Sequence, residues 1–123
     1  MKRLRRSLVL IVLIAVLAMA DELTGTWSGT FKVSGGDHST PQIVILKQDG
    51  KKLTGSAGPE PGEQYPLENG SIDGDQVRFA VTSGEWRFSY DLKRSGPDEM
   101  KGNVELKSVD DSRVAVVSLR RTK

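Results

Sequence analysis

The sequence predicts an all-β protein, an eight-stranded antiparallel up-and-down barrel that follows an amino-terminal signal peptide. Three observations support this prediction. Turn-forming residues recur at short intervals, runs rich in Val, Ile, Thr and aromatic residues lie between them, and no segment repeats apolar residues with a helical period. A closed barrel is favoured because it leaves no exposed sheet edge, and a two-sheet sandwich is the alternative architecture.

The first twenty residues have the parts of a signal peptide. Basic residues open the chain, an apolar run follows from Leu8 to Ala18, and Ala18-Met19-Ala20 has the small-x-small pattern of a cleavage site. Cleavage is therefore expected before Asp21, and residues 21–123 are expected to form one barrel domain. The apolar run is shorter than the roughly 20 residues that a membrane-spanning helix needs. We expect an exported protein, periplasmic or secreted, without a stable membrane span after cleavage.

The positive charge of the chain belongs to this leading segment. Four of the 18 Lys and Arg residues lie in it and none of the 16 Asp and Glu residues do, so residues 21–123 have 14 basic and 16 acidic side chains. Nucleic-acid binding requires clustered positive charge on the folded domain and is not expected. With one His and no Cys, the chain lacks the common ligands of zinc and haem, and we expect no metal and no cofactor.

The first four predicted strands are separated by small and polar residues. The first ends before Ser-Gly-Gly-Asp, and the second ends at Asp49-Gly50, a pair typical of type I′ hairpins. The fourth strand follows GPEPGEQYP, residues 58–66, which we expect to be the longest irregular connection. The predicted strands are residues 24–33, 40–48, 52–57 and 67–72.

Three of the last four predicted strands, the fifth, sixth and seventh, show the alternation of apolar and polar side chains that gives a strand one buried face and one wet face. In the sixth strand Trp86, Phe88, Tyr90 and Leu92 share the apolar face. Every connection is short, so successive strands are expected to pair as antiparallel neighbours. The last four predicted strands are residues 76–82, 85–94, 99–108 and 112–121.

A Gly-x-Trp sequence at the start of the first strand is predicted to close one end of the barrel. In an antiparallel barrel with an even number of strands, Trp27 lies beside the end of the last strand, where Arg120 and Arg121 stand. Alternation places Arg121 on the inward face, so we expect Arg121 to stack on the indole. Burial of a Trp removes about 200 Å² from water and contributes at most about 5 kcal/mol. We interpret Gly25, Trp27 and Arg121 as structural rather than ligand-binding.

This arrangement resembles the lipocalin and avidin-like barrels, which are of the calycin type. In those families a G-x-W in the first strand closes the barrel floor, and a basic residue from the last strand lies across the indole. The opening LTGTW in particular resembles the avidin type. The ordered segments LTGTWSGTF, ILKQDGKKLTGSAGPE, PLENGSIDGDQVRF and YDLKRSGPDEMKGNVEL are also similar to a group of small exported bacterial proteins. The resemblances imply the fold and assign no binding residues.

Two sets of residues are candidates for ligand contact. Trp86, Phe88 and Tyr90 either fill the core or line a pocket at the end opposite Trp27, where Tyr90 would offer a hydroxyl to a mostly apolar ligand. The second set lies in residues 58–66, because loops on rigid scaffolds often have binding roles. The polar side chains of this stretch are Glu60, Glu63, Gln64 and Tyr65. They are either ligands for a cation, a sugar or a protein partner, or they are exposed to solvent without a binding role.

No residue pattern indicates catalysis. His38 is the only imidazole, and Ser34 and Asp37 are too near to it in sequence to form a catalytic triad. There is no G-x-S-x-G motif and no phosphate-binding glycine loop. We therefore predict a non-catalytic exported domain that binds a small, partly apolar ligand or serves as an accessory module of the cell envelope. The alternative is a protein-interaction domain that uses its outer face or residues 58–66, and a hydrolase ranks last.

Overall fold

The computed structural model of the protein describes residues 22–122, which form nine β-strands and the turns between them. The predicted signal peptide and its cleavage site lie outside these residues. The described part of the chain has no helix, and so none that is long and apolar enough to cross a membrane. The strands are β1 (Gly25–Val33), β2 (Thr40–Asp49), β3 (Lys52–Glu60), β4 (Glu63–Pro66), β5 (Glu68–Asp73), β6 (Gln76–Ser83), β7 (Trp86–Gly96), β8 (Glu99–Lys107) and β9 (Ser112–Arg121).

Eight of these strands form a closed antiparallel barrel. Their order is β2-β1-β9-β8-β7-β6-β5-β3, and β3 also pairs with β2, which completes the ring. The first and last strands are neighbours, with Trp27 of β1 opposite Arg121 of β9. The fold class predicted from the sequence is therefore confirmed, and the sandwich alternative is wrong.

The prediction of an irregular connection over residues 58–66 is wrong. β3 continues to Glu60, and after a two-residue turn the chain returns as β4, so this stretch is a β-hairpin. The register of the pairing shifts between Ala57 and Glu60. Pro59 lies within this irregularity, where its missing backbone N–H does not interrupt a regular ladder. The predicted fourth strand corresponds to β5, and β4 is an additional strand within the stretch predicted to be irregular; both pair with β3.

The inward side chains form one apolar core. Residues from β1, β2, β3 and the strands β5 to β9 contribute to it, together with Leu23, which precedes the first strand. Such complete burial provides the stability that this chain cannot obtain from disulfide bonds. The most deeply buried side chains, each less than 2% exposed, include Leu23, Trp27, Val44, Leu53, Val77, Leu92, Met100, Val104 and Val117.

Two glycines inside strands mark places where neighbouring backbones approach closely. A Cβ atom at Gly29 would lie 1.8 Å from the carbonyl oxygen of Ser118, and one at Gly55 would lie 1.9 Å from the carbonyl oxygen of Ile45. Gly55 also has a φ of +134°, which L side chains rarely adopt. These glycines therefore permit the tight strand packing of a small barrel. Glycine inside a strand commonly marks such a bend or close approach of backbones.

The two ends of the barrel differ in the connections that they contain. The closed end holds the start of β1, the end of β9 and the β2–β3, β5–β6 and β7–β8 turns. The opposite end, here called the mouth, holds four connections, which are residues 34–39, 61–62, 84–85 and 108–111.

Candidate ligand-binding site

Arg121 covers Trp27 at the closed end of the barrel. The indole is 0% exposed, and its N–H donates a hydrogen bond to the carbonyl oxygen of Leu23 at 3.0 Å. The guanidinium carbon of Arg121 lies 4.6 Å from the centroid of the indole ring. Arg121 Nε donates to the Asp98 carboxylate at 2.9 Å. The terminal nitrogens of Arg121 donate, at 2.8 to 3.0 Å, to the carbonyl oxygens of Glu22, Thr24 and Pro97.

The structure brings together the three residues that the sequence suggested for barrel closure. A Cβ atom at Gly25 would meet the Arg121 side chain at 3.6 Å, so the arginine lies directly against this glycine. The guanidinium makes its hydrogen bonds to the segment before β1 and to the turn between β7 and β8. The guanidinium at the closed end is thus engaged by an indole, a carboxylate and three carbonyl oxygens of the protein.

A pocket of about 220 Å³ opens at the mouth, on the opposite side of the core from Trp27. Two of its aromatic side chains, Phe31 and Phe88, meet edge to face with ring centroids 6.2 Å apart. The mouth ends of several strands complete the lining with Thr40, Pro41, Gly58, Glu63 and Ser83. The walls are mainly apolar and are formed by Phe31, Ala57, Pro59, Tyr65, Val81 and Phe88.

Two buried polar side chains lie deeper in this pocket. The Tyr90 hydroxyl donates to Oε1 of Gln42 at 3.3 Å, and Nε2 of Gln42 donates to the carbonyl oxygen of Gly58 at 3.1 Å. The ring of Phe79 stacks on Tyr90 with a centroid separation of 4.4 Å. Burial raises the pKa of the Tyr90 phenol well above its ordinary value, and the bond to Gln42 offsets only part of this effect. The base of the pocket is therefore electrically neutral at physiological pH.

The buried pair retains hydrogen-bonding capacity for a ligand. A primary amide has two N–H donors, and only one of those of Gln42 has an acceptor among residues 22–122. The phenol oxygen of Tyr90 donates to Gln42 and accepts no hydrogen bond from the described residues. A guest molecule in the pocket would thus find one free donor and one free acceptor beside apolar walls.

Some of the predicted binding residues meet at this pocket. Phe88 and Tyr90 line it, together with Glu63 and Tyr65 of the β3–β4 hairpin. The Tyr65 hydroxyl donates to Oε2 of Glu63 at 2.9 Å, which fixes the carboxylate at the mouth. Alternation along β4 turns Glu63 and Tyr65 to this side.

The other predicted binding residues do not line the pocket. Trp86 is half-buried at the mouth, where the guanidinium carbon of Arg113 lies 5.9 Å from its ring centroid. Gln64 faces away because it alternates with its neighbours, and it accepts a hydrogen bond from Ser56 at 2.7 Å. Its amide donates to the carbonyl oxygens of Ile43 and Glu60, so Gln64 fastens the hairpin to β2. Glu60 is exposed next to the hairpin turn.

The sequence prediction missed several lining residues, among them Phe31 and the buried Gln42. Gln42 lies on the same face of β2 as the buried Val44 and Leu46, so the alternation of this strand places it inside the barrel. A buried Gln in an otherwise apolar row indicates a specific hydrogen-bonded role. Its contact with Tyr90 depends on packing across the barrel, which alternation within one strand does not reveal.

The described residues contain no group of three or more acidic or His side chains placed to hold a metal ion. A second hollow lies on the outer face of β6, β7 and β8. It is open, and two of the side chains that line it, Arg78 and Asp91, form an exposed ion pair at 3.5 Å. Exposed charged side chains of this kind are expected on the outer face of a barrel, so we assign no ligand to this hollow.

Comparison with known proteins supports the fold and leaves the pocket unassigned. No family model matches the chain, and no curated protein matches it. A solved structure described as a redesigned β-barrel is similar, with 16% sequence identity over 85% of this chain and 95% of that chain and a TM-score of 0.59. At this identity the similarity shows a shared barrel fold.

Proposed function

We propose that this protein is an exported, non-catalytic barrel of the lipocalin-like type that binds one small, mostly apolar ligand through its mouth. The observation that supports this proposal is the pocket with apolar walls and a buried Gln42–Tyr90 pair at its base. Concave apolar sites with a few convergent polar groups are the usual form of small-molecule sites. The sequence of residues 1–20 supports the exported location.

The size of the pocket limits the ligand. Its 220 Å³ exceeds the roughly 150 Å³ of a cavity that accepts benzene, and it lies below the range of about 300 to 1,000 Å³ for drug-sized ligands. A single ring or a short branched chain with one polar group fits these limits. The polar group would meet the free N–H of Gln42 or the oxygen of Tyr90.

The lining favours binding over catalysis. Gln42 and Tyr90 are neutral, and Glu63 is the acidic side chain among the residues that line the pocket. The hydroxyls of Thr40 and Ser83 have no imidazole or amine beside them in this lining. These hydroxyls therefore lack the adjacent imidazole or amine that usually activates a Ser or Thr nucleophile.

The interaction-domain alternative has weaker support. The large apolar side chains exposed on the described part of the chain are Ile45 of β2, Val109 of the β8–β9 connection, and Val114 and Val116 of β9. Val114 and Val116 of β9 face Glu105 and Asn103 across the strand pairing, so polar groups flank them.

The proposal can be tested by titrating acetophenone and benzamide into the protein while recording amide and aromatic NMR spectra. We expect shifts confined to the pocket, including those of Gln42, Phe88 and Tyr90. Ser83→Phe places a ring in the lining and should abolish these shifts. Ser118→Phe makes the same change on the outer face of β9 and should preserve them. Absence of binding at millimolar concentrations, or equal effects of the two variants, would overturn the proposal.

A further inference from the structure

We infer that the ligand of this pocket is an organic cation of the alkylammonium class, with its charged group at the mouth beside Glu63. This inference rests on the proposed ligand-binding function and adds the charge and the orientation of the ligand. Three independent observations support it: the state of the Glu63 carboxylate, the aromatic walls, and the charges of the connections around the mouth.

The carboxylate of Glu63 lines the pocket without a cationic partner among residues 22–122. Within the described residues, Oε2 of Glu63 accepts a hydrogen bond from the Tyr65 hydroxyl at 2.9 Å. The carboxylates that do pair with arginine in this part of the chain lie outside the pocket lining, and they are Glu68, Asp91, Asp98, Glu99 and Asp111. Glu63 is thus held in place by a neutral donor and keeps acceptor sites for a positively charged guest.

The aromatic walls suit the same guest. Phe31, Tyr65 and Phe88 line the pocket, and the faces of such rings attract ammonium groups within about 6 Å of their centroids. A cation–aromatic contact already exists at the mouth, where Arg113 lies over Trp86 at 5.9 Å. Aromatic rings combined with a carboxylate favour a methylated or alkylated ammonium group over an anion or a neutral group of the same shape.

The connections at the mouth contain acidic side chains and no Lys or Arg, and basic residues, among them Lys32, Lys107 and Arg113, lie in the adjoining strand ends. The exposed carboxylates of these connections are Asp37, Glu85, Asp110 and Asp111. Arg113, which follows the last of these connections, is paired with Asp111 at 3.0 Å. The turns at the closed end include Lys51 as well as acids. Acidic charge around an apolar opening raises the local concentration of cations and repels anions.

The neutral base of the pocket sets the orientation of the ligand. An ammonium group beside the buried Gln42 and Tyr90 would lose its hydration without gaining a counter-charge, which is strongly unfavourable. The same group beside Glu63 keeps both partial hydration and a carboxylate, because Glu63 is exposed. The apolar or hydroxyl-bearing part of the ligand therefore points inward, toward the free N–H of Gln42.

Choline and 3,3-dimethylbutan-1-ol test this inference, because they have the same shape and differ in one positive charge. Binding of each to the protein would be measured by NMR titration at low salt. We expect choline to bind about tenfold more tightly than the neutral alcohol. The ratio should fall as salt is added, since the mouth is solvent-exposed.

Two variants of the hairpin identify the source of the preference. Glu63→Gln should reduce choline affinity about tenfold, to that of the neutral alcohol, and leave the affinity of the alcohol unchanged. Glu60→Gln removes the same charge outside the pocket and should change choline affinity less than about twofold. Circular dichroism would confirm that both variants fold.

The possible failures of this experiment are distinguishable. Equal affinities for choline and the alcohol, or equal effects of the two variants, would overturn the inference about charge and leave the ligand-binding proposal standing. Binding of acetophenone without binding of choline would have the same meaning. If choline, the alcohol, acetophenone and benzamide all fail to bind, the proposed function itself is wrong.

Discussion

The guanidinium of Arg121 lies over the indole of Trp27, with its central carbon 4.6 Å from the ring centroid. The two residues are also direct cross-strand partners, one in the first strand of the barrel and one in the last. Hydrogen bonds from the same guanidinium reach Asp98 and Pro97 in the β7–β8 turn. The side chain of Arg121 therefore connects the paired strands β1 and β9 to the β7–β8 turn and covers the closed end of the barrel.

Replacing Arg121 by Ala should lower the free energy of unfolding by about 2 kcal/mol. The variant loses the contact with the indole, worth about 1 kcal/mol, and several charge-assisted hydrogen bonds that are partly exposed. Arg120→Ala is the matched control, because Arg120 points outward and pairs with Glu99 on the exposed surface, where ion pairs contribute little. Urea unfolding of both variants measures the difference. Equal losses would show that the contact with Trp27 has no special role.

Gly29→Ala should lower the free energy of unfolding by about 3 kcal/mol, or prevent folding. The new methyl carbon would lie 1.8 Å from the carbonyl oxygen of Ser118, so β1 and β9 would have to separate. Gly96→Ala is the control, because nothing lies within 4 Å of its Cβ position and its φ is not positive. Thermal and urea unfolding should show a change of no more than about 0.5 kcal/mol for that variant. A Gly29→Ala protein as stable as the Gly96→Ala protein would contradict the close approach.

Local sequence patterns were sufficient to predict most of this fold. Turn residues set the strand ends, and alternation set the inward faces, including the side of β9 on which Arg121 lies. Residues 58–66 were misassigned because three prolines and two glycines usually interrupt strands. Here Pro59 lies at a register irregularity. Gly58 permits the backbones of β3 and β4 to approach closely, since a Cβ atom at this position would lie 1.9 Å from the Glu63 carbonyl oxygen.

The candidate site was less predictable because it depends on contacts between strands that are distant in sequence. Tyr90 was identified from its own strand, whereas its partner Gln42 comes from β2 on another side of the barrel. Gln64 is polar and adjacent to true pocket residues, and only the observed pairing of β3 with β4 shows that it faces the other way. Patterns within one strand specify a face, but they do not specify which side chains meet across the interior.

The buried phenol of Tyr90 should make the protein less stable at alkaline pH in a way that Tyr90→Phe removes. Burial raises the pKa of Tyr90 in the folded state above its ordinary value of 10.0. Above about pH 10 the unfolded chain therefore releases this proton while the folded protein retains it. The folded state then binds more protons, and its stability falls by about 1.4 kcal/mol per pH unit.

Urea unfolding of wild type and Tyr90→Phe at pH 7, 9, 10.5 and 11 would measure this effect. At pH 7 to 9 the variant should be less stable by a constant amount of about 1 to 2 kcal/mol, because Oε1 of Gln42 loses its donor. Above pH 10 the difference should shrink, since only the wild type has the buried phenol, while lysine ionisation affects both proteins alike. A difference that stays constant up to pH 11 would show that Tyr90 ionises as readily in the folded barrel as in the unfolded chain, and the rise of its pKa by burial would then be wrong.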